Sequence, residues 1–205
     1  DDTFSTDGKI TADAFSVLWQ LRAAGFKLVP ITGRPAGWCD HIARFWPVDA
    51  VVGENGAFSF WMGEGKRKRH DTAGGPDAGK LARLRTAILA QFPDARFASD
   101  QSYREYDLAI DFREDVTPWP MDRVLELKAF CERQGAHAKV SSIHVNTWYG
   151  EFDKAAGFRA LLAAGPKGLP RRLSAWAFVG DSPNDEPLFE LFGRERGVTV
   201  GVGNL

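Results

Sequence analysis

The sequence predicts an α/β protein: a doubly wound, Rossmann-like parallel-sheet core with an α+β module inserted into it. At both ends of the 205-residue chain, short apolar runs alternate with segments of helical spacing. Between them, residues 63–150 turn to period-two strands backed by helices, the pattern of a small antiparallel module. A Gly- and basic-rich stretch from Gly63 marks the change. The core is therefore expected to comprise residues 1–62 and 151–205, and the inserted domain residues 63–150.

Each element has a reason in the residues. Thr11 is a good N-cap for a helix through Ala24, with Ala14, Val17, Leu18 and Leu21 as its apolar stripe and Gly25 as its stop. Phe26 to Ile31 reads as a strand, and Thr32-Gly-Arg-Pro35 turns into a helix near Trp38 to Phe45, with Pro35 suited to its first turn. Strands at 50–52 and 57–61 flank Gly53-Glu-Asn-Gly56, and this order predicts parallel βαβ units. Lys66 to Arg69 is expected as a solvated loop.

In the inserted domain, helices are predicted from Gly79 to Phe92 and from Pro120 to Gln134. Tyr106 to Phe112 and Ala138 to Trp148 alternate as strands, the second bent or doubled at Ser141-Ser142. The core pattern resumes with a helix from Phe152 to Ala164 and an apolar strand at 175–179. Gly180 breaks that strand, a helix with Leu188, Leu191 and Phe192 on one face follows, and Arg196 to Val202 is a last strand.

Composition narrows the function classes. A hydrophobic share of 44%, a charged share of 26% and a net charge of −1 belong to an ordinary globular protein without general attraction for nucleic acid or anionic membranes. No apolar run is long enough to span a bilayer. Two cysteines, Cys39 and Cys131, make a disulfide framework improbable and point to a reducing, cytoplasmic setting. The residue pattern assigns no oligomeric state.

The chemistry concentrates where strands end. Asp181 and Asp185 sit in the turn between a parallel-type strand and a helix, the edge at which open α/β sheets bind ligands. Two carboxylates held close repel unless a cation stands between them, and such hard oxygens suit Mg²⁺. A helix N-cap with spare acids is the other reading of this turn.

Asp1-Asp2-Thr3, Thr32, Lys154 and Gly180-Asp181-x-x-x-Asp185, in this order, resemble the haloacid dehalogenase superfamily of phosphatases and phosphomutases. The insertion between Thr32 and Lys154 is that of its type II capped members. Val52-Gly-Glu-Asn-Gly-Ala57 and Gly180-Asp-Ser-Pro-Asn-Asp185 are similar to the Cof-like, sucrose-phosphatase and trehalose-phosphatase branch, type IIB. The resemblance covers nearly the whole chain. It implies a Mg²⁺-dependent hydrolase of a small phosphorylated metabolite, a sugar phosphate above all, working through an aspartyl phosphate.

In that resemblance Asp1 is the general acid/base and gives a backbone carbonyl to Mg²⁺, while Asp181 and Asp185 complete the metal site. Thr32 contacts a phosphoryl oxygen, and Lys154 pairs with the nucleophile and the phosphoryl group. The nucleophile should lie two residues before Asp1, on a first strand that this sequence does not contain, so a longer protein is expected. Arg34 is read as a phosphate contact or a surface ion pair, and Asn55 as a phosphate-facing residue or an ordinary turn residue. His144, Asn146 and Trp148 alternate along one strand face, either gripping substrate or lying on a solvated sheet.

Two alternatives stay open. A phosphomutase of the phosphomannomutase type shares the cap and the intermediate. A non-catalytic metabolite-binding relative would carry Asn or Ala at the nucleophile position. A nucleic-acid 3′-phosphatase fits the charge balance poorly.

Overall fold

The computed structural model describes residues 3–6, 8–72, 74–181 and 183–203. Two compact units are resolved, one of residues 1–72 with 152–205 and the other of residues 73–151.

The first unit opens with helix α1 (Ala12–Ala23), capped by Thr11, whose hydroxyl accepts from the Ala14 amide. Its expected apolar stripe is only partly used: Val17 stays 45% exposed and no residue of α1 is buried. The segment 26–31 runs alongside strand β1 (Val51–Gly53) but forms a single parallel bridge, Ile31 to Val52, instead of a full strand. Pro30 lacks the N–H that would extend the ladder. Helix α2 (Ala36–Phe45) follows the Thr32–Pro35 turn.

Strand β2 (Phe58–Gly63) returns antiparallel to β1, outside the parallel βαβ pattern. The 3₁₀ turn Glu54–Gly56 between them is too short for a parallel crossover. Strand β3 (Lys66–Asp71) then pairs along all of β2. The basic run is thus a strand, not a loop. Arg67 stacks over Phe60 at 4.1 Å and pairs with Asp40, while Lys68 meets Glu64 and Arg69 meets Asp71.

After the second unit, helix α5 (Lys154–Ala164), strand β8 (Ala177–Gly180), helix α6 (Glu186–Arg194) and strand β9 (Val198–Gly201) complete the first. β8 and β9 pair in parallel, joined by α6 in the βαβ manner. The core packs Val52, Phe158, Leu161, Phe178, Leu188 and Phe192 together. Leu188, Leu191 and Phe192 form the buried face of α6, as the i, i+3, i+4 spacing requires.

The second unit contains helix α3 (Ala78–Gln91), strands β4 (Arg96–Phe97) and β5 (Asp107–Asp111), helix α4 (Met121–Arg133), and strands β6 (His137–Val140) and β7 (His144–Trp148). Its antiparallel sheet has the order β4-β5-β7-β6, and the doubling at Ser141-Ser142 is a hairpin between β6 and β7. Leu108 and Ile110 on β5, with Val145 on β7, meet Leu84, Ile88, Val124 and Leu127 from the helices. Period-two strands put one face on this core. The opposite face carries Asp107, Asp111, His144, Asn146 and Trp148.

Candidate active site

The polar stations of the first unit are joined by short contacts. Gly180 ends β8, and a Cβ there would stand 2.8 Å from Asp185 Oδ2 and from the Phe178 ring, so the close approach requires glycine. The Asp181 N–H donates to Asp185 Oδ2 at 3.1 Å, folding the turn over the strand end. Thr3, from the other end of the chain, donates its hydroxyl proton to Asp181 Oδ1.

Lys154 is the first residue of α5, whose N-cap Asp153 accepts from the Ala156 amide at 2.7 Å. The Lys154 ammonium donates to Asp185 Oδ1 at 2.6 Å, and both side chains are buried, 8% and 6% exposed. A charge removed from water this far persists only when paired. Among the described residues Asp185 is the acceptor this ammonium meets, and with respect to them two of its three protons are still to be donated.

The turn Glu54–Gly56 connects Lys154 to Thr32. Glu54, Asn55 and Gly56 have φ of 40°, 56° and 107°, a run of left-handed conformations that is costly for the first two. A Cβ on Gly56 would fall 1.9 Å from the Asp153 carbonyl oxygen, and one on Gly157 would fall 2.5 Å from Gly56 Cα. The turn therefore lies backbone to backbone on the start of α5. On its other side the Asn55 N–H donates to the Thr32 carbonyl at 3.1 Å, and the Glu54 N–H to the Arg34 carbonyl at 3.2 Å.

Thr32 Oγ1 accepts from the Arg34 amide at 3.0 Å, which leaves its hydroxyl proton to donate. The Arg34 guanidinium stacks over the Trp38 ring at 4.8 Å. Asn55 is 5% exposed, and its Oδ1 has no hydrogen-bond partner among the described residues. Thr32, Arg34, Asn55, Lys154, Asp181 and Asp185 are thus linked within one unit. Asp1, expected beside them, lies outside the described residues.

The sequence did not single out Glu54, whose fully buried carboxylate accepts from the Ala36 amide at 3.0 Å. An acid before Asn-Gly reads as turn polarity, and nothing in the residue pattern distinguishes it from that. It also gave no sign that Thr3 itself would contact Asp181.

His144 and Asn146, the other candidate substrate contacts, belong to the second unit. The solvated-face reading is overturned, because they are buried, 3% and 6% exposed. Asn146 Nδ2 donates to Asp107 Oδ2 at 2.9 Å, and Asp107 also accepts from Arg104, which pairs in addition with Asp100. His144 Nε2 lies 2.9 Å from Glu114 Oε2, a charge contact without hydrogen-bond alignment. Burial lowers the His144 pKa and so favours the neutral ring, aided by Arg104 and opposed by Glu114. Burial also disfavours the charged form of Arg104, but Asp107 and Asp100 outweigh it and raise its pKa.

Solved structures with this fold are numerous. One is that of Thermoplasma acidophilum 0175, with a TM-score of 0.73 and 17% identity over 97% of this chain and 79% of that one. Another is the trehalose-6-phosphate phosphatase C-terminal domain of C. albicans, at 0.67 and 13% over 99% and 77%. A third, the HAD subclass IIB sugar phosphatase BT4131, matches at 0.63 and 12% over 97% and 82%. The fold is that of the haloacid dehalogenase superfamily. No family model matches the sequence, and no curated protein matches it. At these identities the haloacid dehalogenase likeness is one of backbone architecture. Among the described residues, no helix is long and apolar enough to cross a membrane.

The donor set at the end of β8 fits a hard divalent cation. Asp185 accepts from the Asp181 N–H and from Lys154, and Asp181 from Thr3, so a cation there would share two carboxylates with these donors and otherwise meet water, the habit of Mg²⁺; among the described residues no third acid, His or Cys joins them.

Proposed function

We propose that this protein is a Mg²⁺-dependent phosphomonoesterase of the type IIB capped class. Its substrate is a small phosphorylated metabolite, a sugar phosphate, hydrolysed through an aspartyl phosphate in the cytoplasm. The observation that carries the reading is the buried Lys154–Asp185 pair, joined through Asp181 to Thr3 at the far end of the chain. The sugar-phosphatase names among the structures of the same fold support the substrate class.

A phosphate ester brings negative charge to an acidic site, so transfer needs cationic and hydrogen-bonding groups placed beforehand. Lys154 supplies a compact charge whose remaining protons point to a phosphoryl oxygen. Thr32 donates its hydroxyl proton to a second oxygen, and Arg34 and Asn55 flank the same turn. Asp1 gives a proton to the leaving alcohol and later takes one from the attacking water. Mg²⁺, held by Asp181, Asp185 and the Asp1 carbonyl, would supply charge neutralisation. The inserted domain, read from the sequence as residues 63–150, acts as the cap, with His144 and Asn146 as candidate substrate contacts. Nucleic acid is not the substrate in this reading, since Arg67, Lys68 and Arg69 are already paired with carboxylates.

The test is phosphate release from a panel of hexose monophosphates, with Mg²⁺ or with EDTA, and with or without a hexose bisphosphate. Metal-dependent release without bisphosphate supports a phosphatase. Isomerisation that needs the bisphosphate makes it a mutase. Neither activity across the panel removes the enzyme reading.

A further inference from the structure

We propose that Glu54 is a positioning residue: its buried carboxylate holds the Thr32–Ala36 turn, and with it the Thr32 hydroxyl in place for a phosphoryl oxygen and the Asn55 amide oxygen in place for a hydrogen-bond donor of the bound substrate. This rests on the phosphatase reading above.

The side chain of Glu54 is fully buried, and its backbone sits at φ 40°, where a non-glycine residue is uncommon. Both features cost free energy and call for a compensating contact. Helix α2 shows what that contact does. Its N-cap is Pro35, which has no side-chain acceptor for the first amides of the helix. Glu54 Oε1 takes that place from another element, accepting from the Ala36 N–H at 3.0 Å. The same residue's N–H donates to the Arg34 carbonyl at 3.2 Å, and the next residue's N–H to the Thr32 carbonyl at 3.1 Å. The turn carrying Thr32 is thus pinned at residues 32, 34 and 36 by residues 54 and 55.

What the pinned turn presents is chemically unfinished. The Asn55 amide is 5% exposed, and its Oδ1 lacks a partner among the described residues. A Cβ built on Gly33 would come within 3.1 Å of that oxygen, so the amide lies against the Thr32–Arg34 backbone. Buried amides are ordinarily hydrogen-bonded, and an orphaned amide oxygen is an acceptor that suits a substrate hydroxyl or a bound water rather than a phosphoryl oxygen. The half-buried Thr32 hydroxyl accepts from the Arg34 amide and keeps its proton to donate. Glu54 touches neither the ligand nor the reacting atoms; it acts through Thr32 and Asn55.

Three variants test this with p-nitrophenyl phosphate as substrate and orthovanadate as the bound probe. Glu54→Ala removes the acceptor. Glu54→Gln keeps a side-chain oxygen for the Ala36 N–H. Ala36→Pro removes the N–H itself, at the first helical position, where proline is well accepted. Because displacement of about 1 Å can cost on the order of 100-fold, kcat of Glu54→Ala and of Ala36→Pro should fall by about that factor. Orthovanadate affinity should fall with it, while Glu54→Gln recovers most of both.

The double variant Glu54→Ala/Ala36→Pro should be no worse than the poorer single change, since both remove the hydrogen bond between Glu54 and the Ala36 N–H. A purely structural role would instead lower the folded fraction and leave kcat per folded molecule and orthovanadate affinity unchanged. That result overturns the proposal, as does a Glu54→Gln protein as impaired as Glu54→Ala. If Glu54→Ala does not fold, Ala36→Pro against Glu54→Gln decides by the same criteria. A wild-type protein that cleaves no phosphate ester defeats the phosphatase reading and this inference together; an active wild type with indifferent variants defeats this inference alone.

Discussion

Lys154 Nζ lies 2.6 Å from Asp185 Oδ1, with both side chains withdrawn from water. They stand thirty-one positions apart in the chain. The pair closes the end of β8 onto the start of α5, so charge, packing and the candidate chemistry share one contact.

Replacing Lys154 by Met should abolish phosphate release and also destabilise the protein. Removing one partner of a buried ion pair typically costs about 3–5 kcal/mol, because the other charge is stranded. Lys154→Met/Asp185→Asn should recover much of that stability in urea unfolding, yet none of the activity. Equal stabilities for the single and double variants would count against a buried, mutually dependent pair.

Glycine substitutions in two helices should move stability in opposite directions. Gly157→Ala drives a Cβ to within 2.5 Å of Gly56 Cα, against backbone that has no alternative position. Overpacking of that kind costs about 1–3 kcal/mol or more. Gly193, on the exposed side of α6, has nothing within 4 Å of a Cβ. There alanine should add about 0.5–1 kcal/mol through helix propensity. Thermal melts of the two variants test both signs.

Stability should fall as pH drops through the region just below neutrality, in part because of His144. Burial lowers its pKa in the folded protein, whereas the unfolded chain takes up the proton near the ordinary value of 6.5. Between those two values the unfolded state binds more protons, so the contribution is complete above about 6.5 and is lost below it. Asp100, Asp111 and Glu114 temper the shift from the acidic side. Urea midpoints from pH 5 to 7.5 should slope less for His144→Gln than for the wild type; parallel curves would dispose of the idea.

Cys131 should be inert in the native state. Burial pushes its thiol up to about 11, so little thiolate exists at pH 8, and the residue is fully enclosed. Iodoacetamide should label it only after denaturation. Rapid labelling of the native protein at pH 8 would show that this core opens readily.

The elements legible in the residues alone are those whose partners lie nearby along the chain. α6 is legible because Leu188, Leu191 and Phe192 repeat at helical spacing, and β5 because Leu108 and Ile110 recur at period two between Asp107 and Asp111. The glycine of Gly180-Asp181 and the acids after it likewise announce a strand-to-helix turn, where side-chain chemistry and backbone geometry coincide locally. Long-range placement was not written there. Whether 57–61 returns antiparallel to 51–53 depends on the 3₁₀ turn between them, and whether a basic run is loop or strand depends on the edge that β2 offers it. His144 and Asn146 look solvent-facing by alternation, but burial is a property of what covers a face, which periodicity does not encode. Glu54 shows this most clearly: only the fold brings its carboxylate to an amide eighteen positions earlier, and desolvation turns an ordinary turn acid into an anchor.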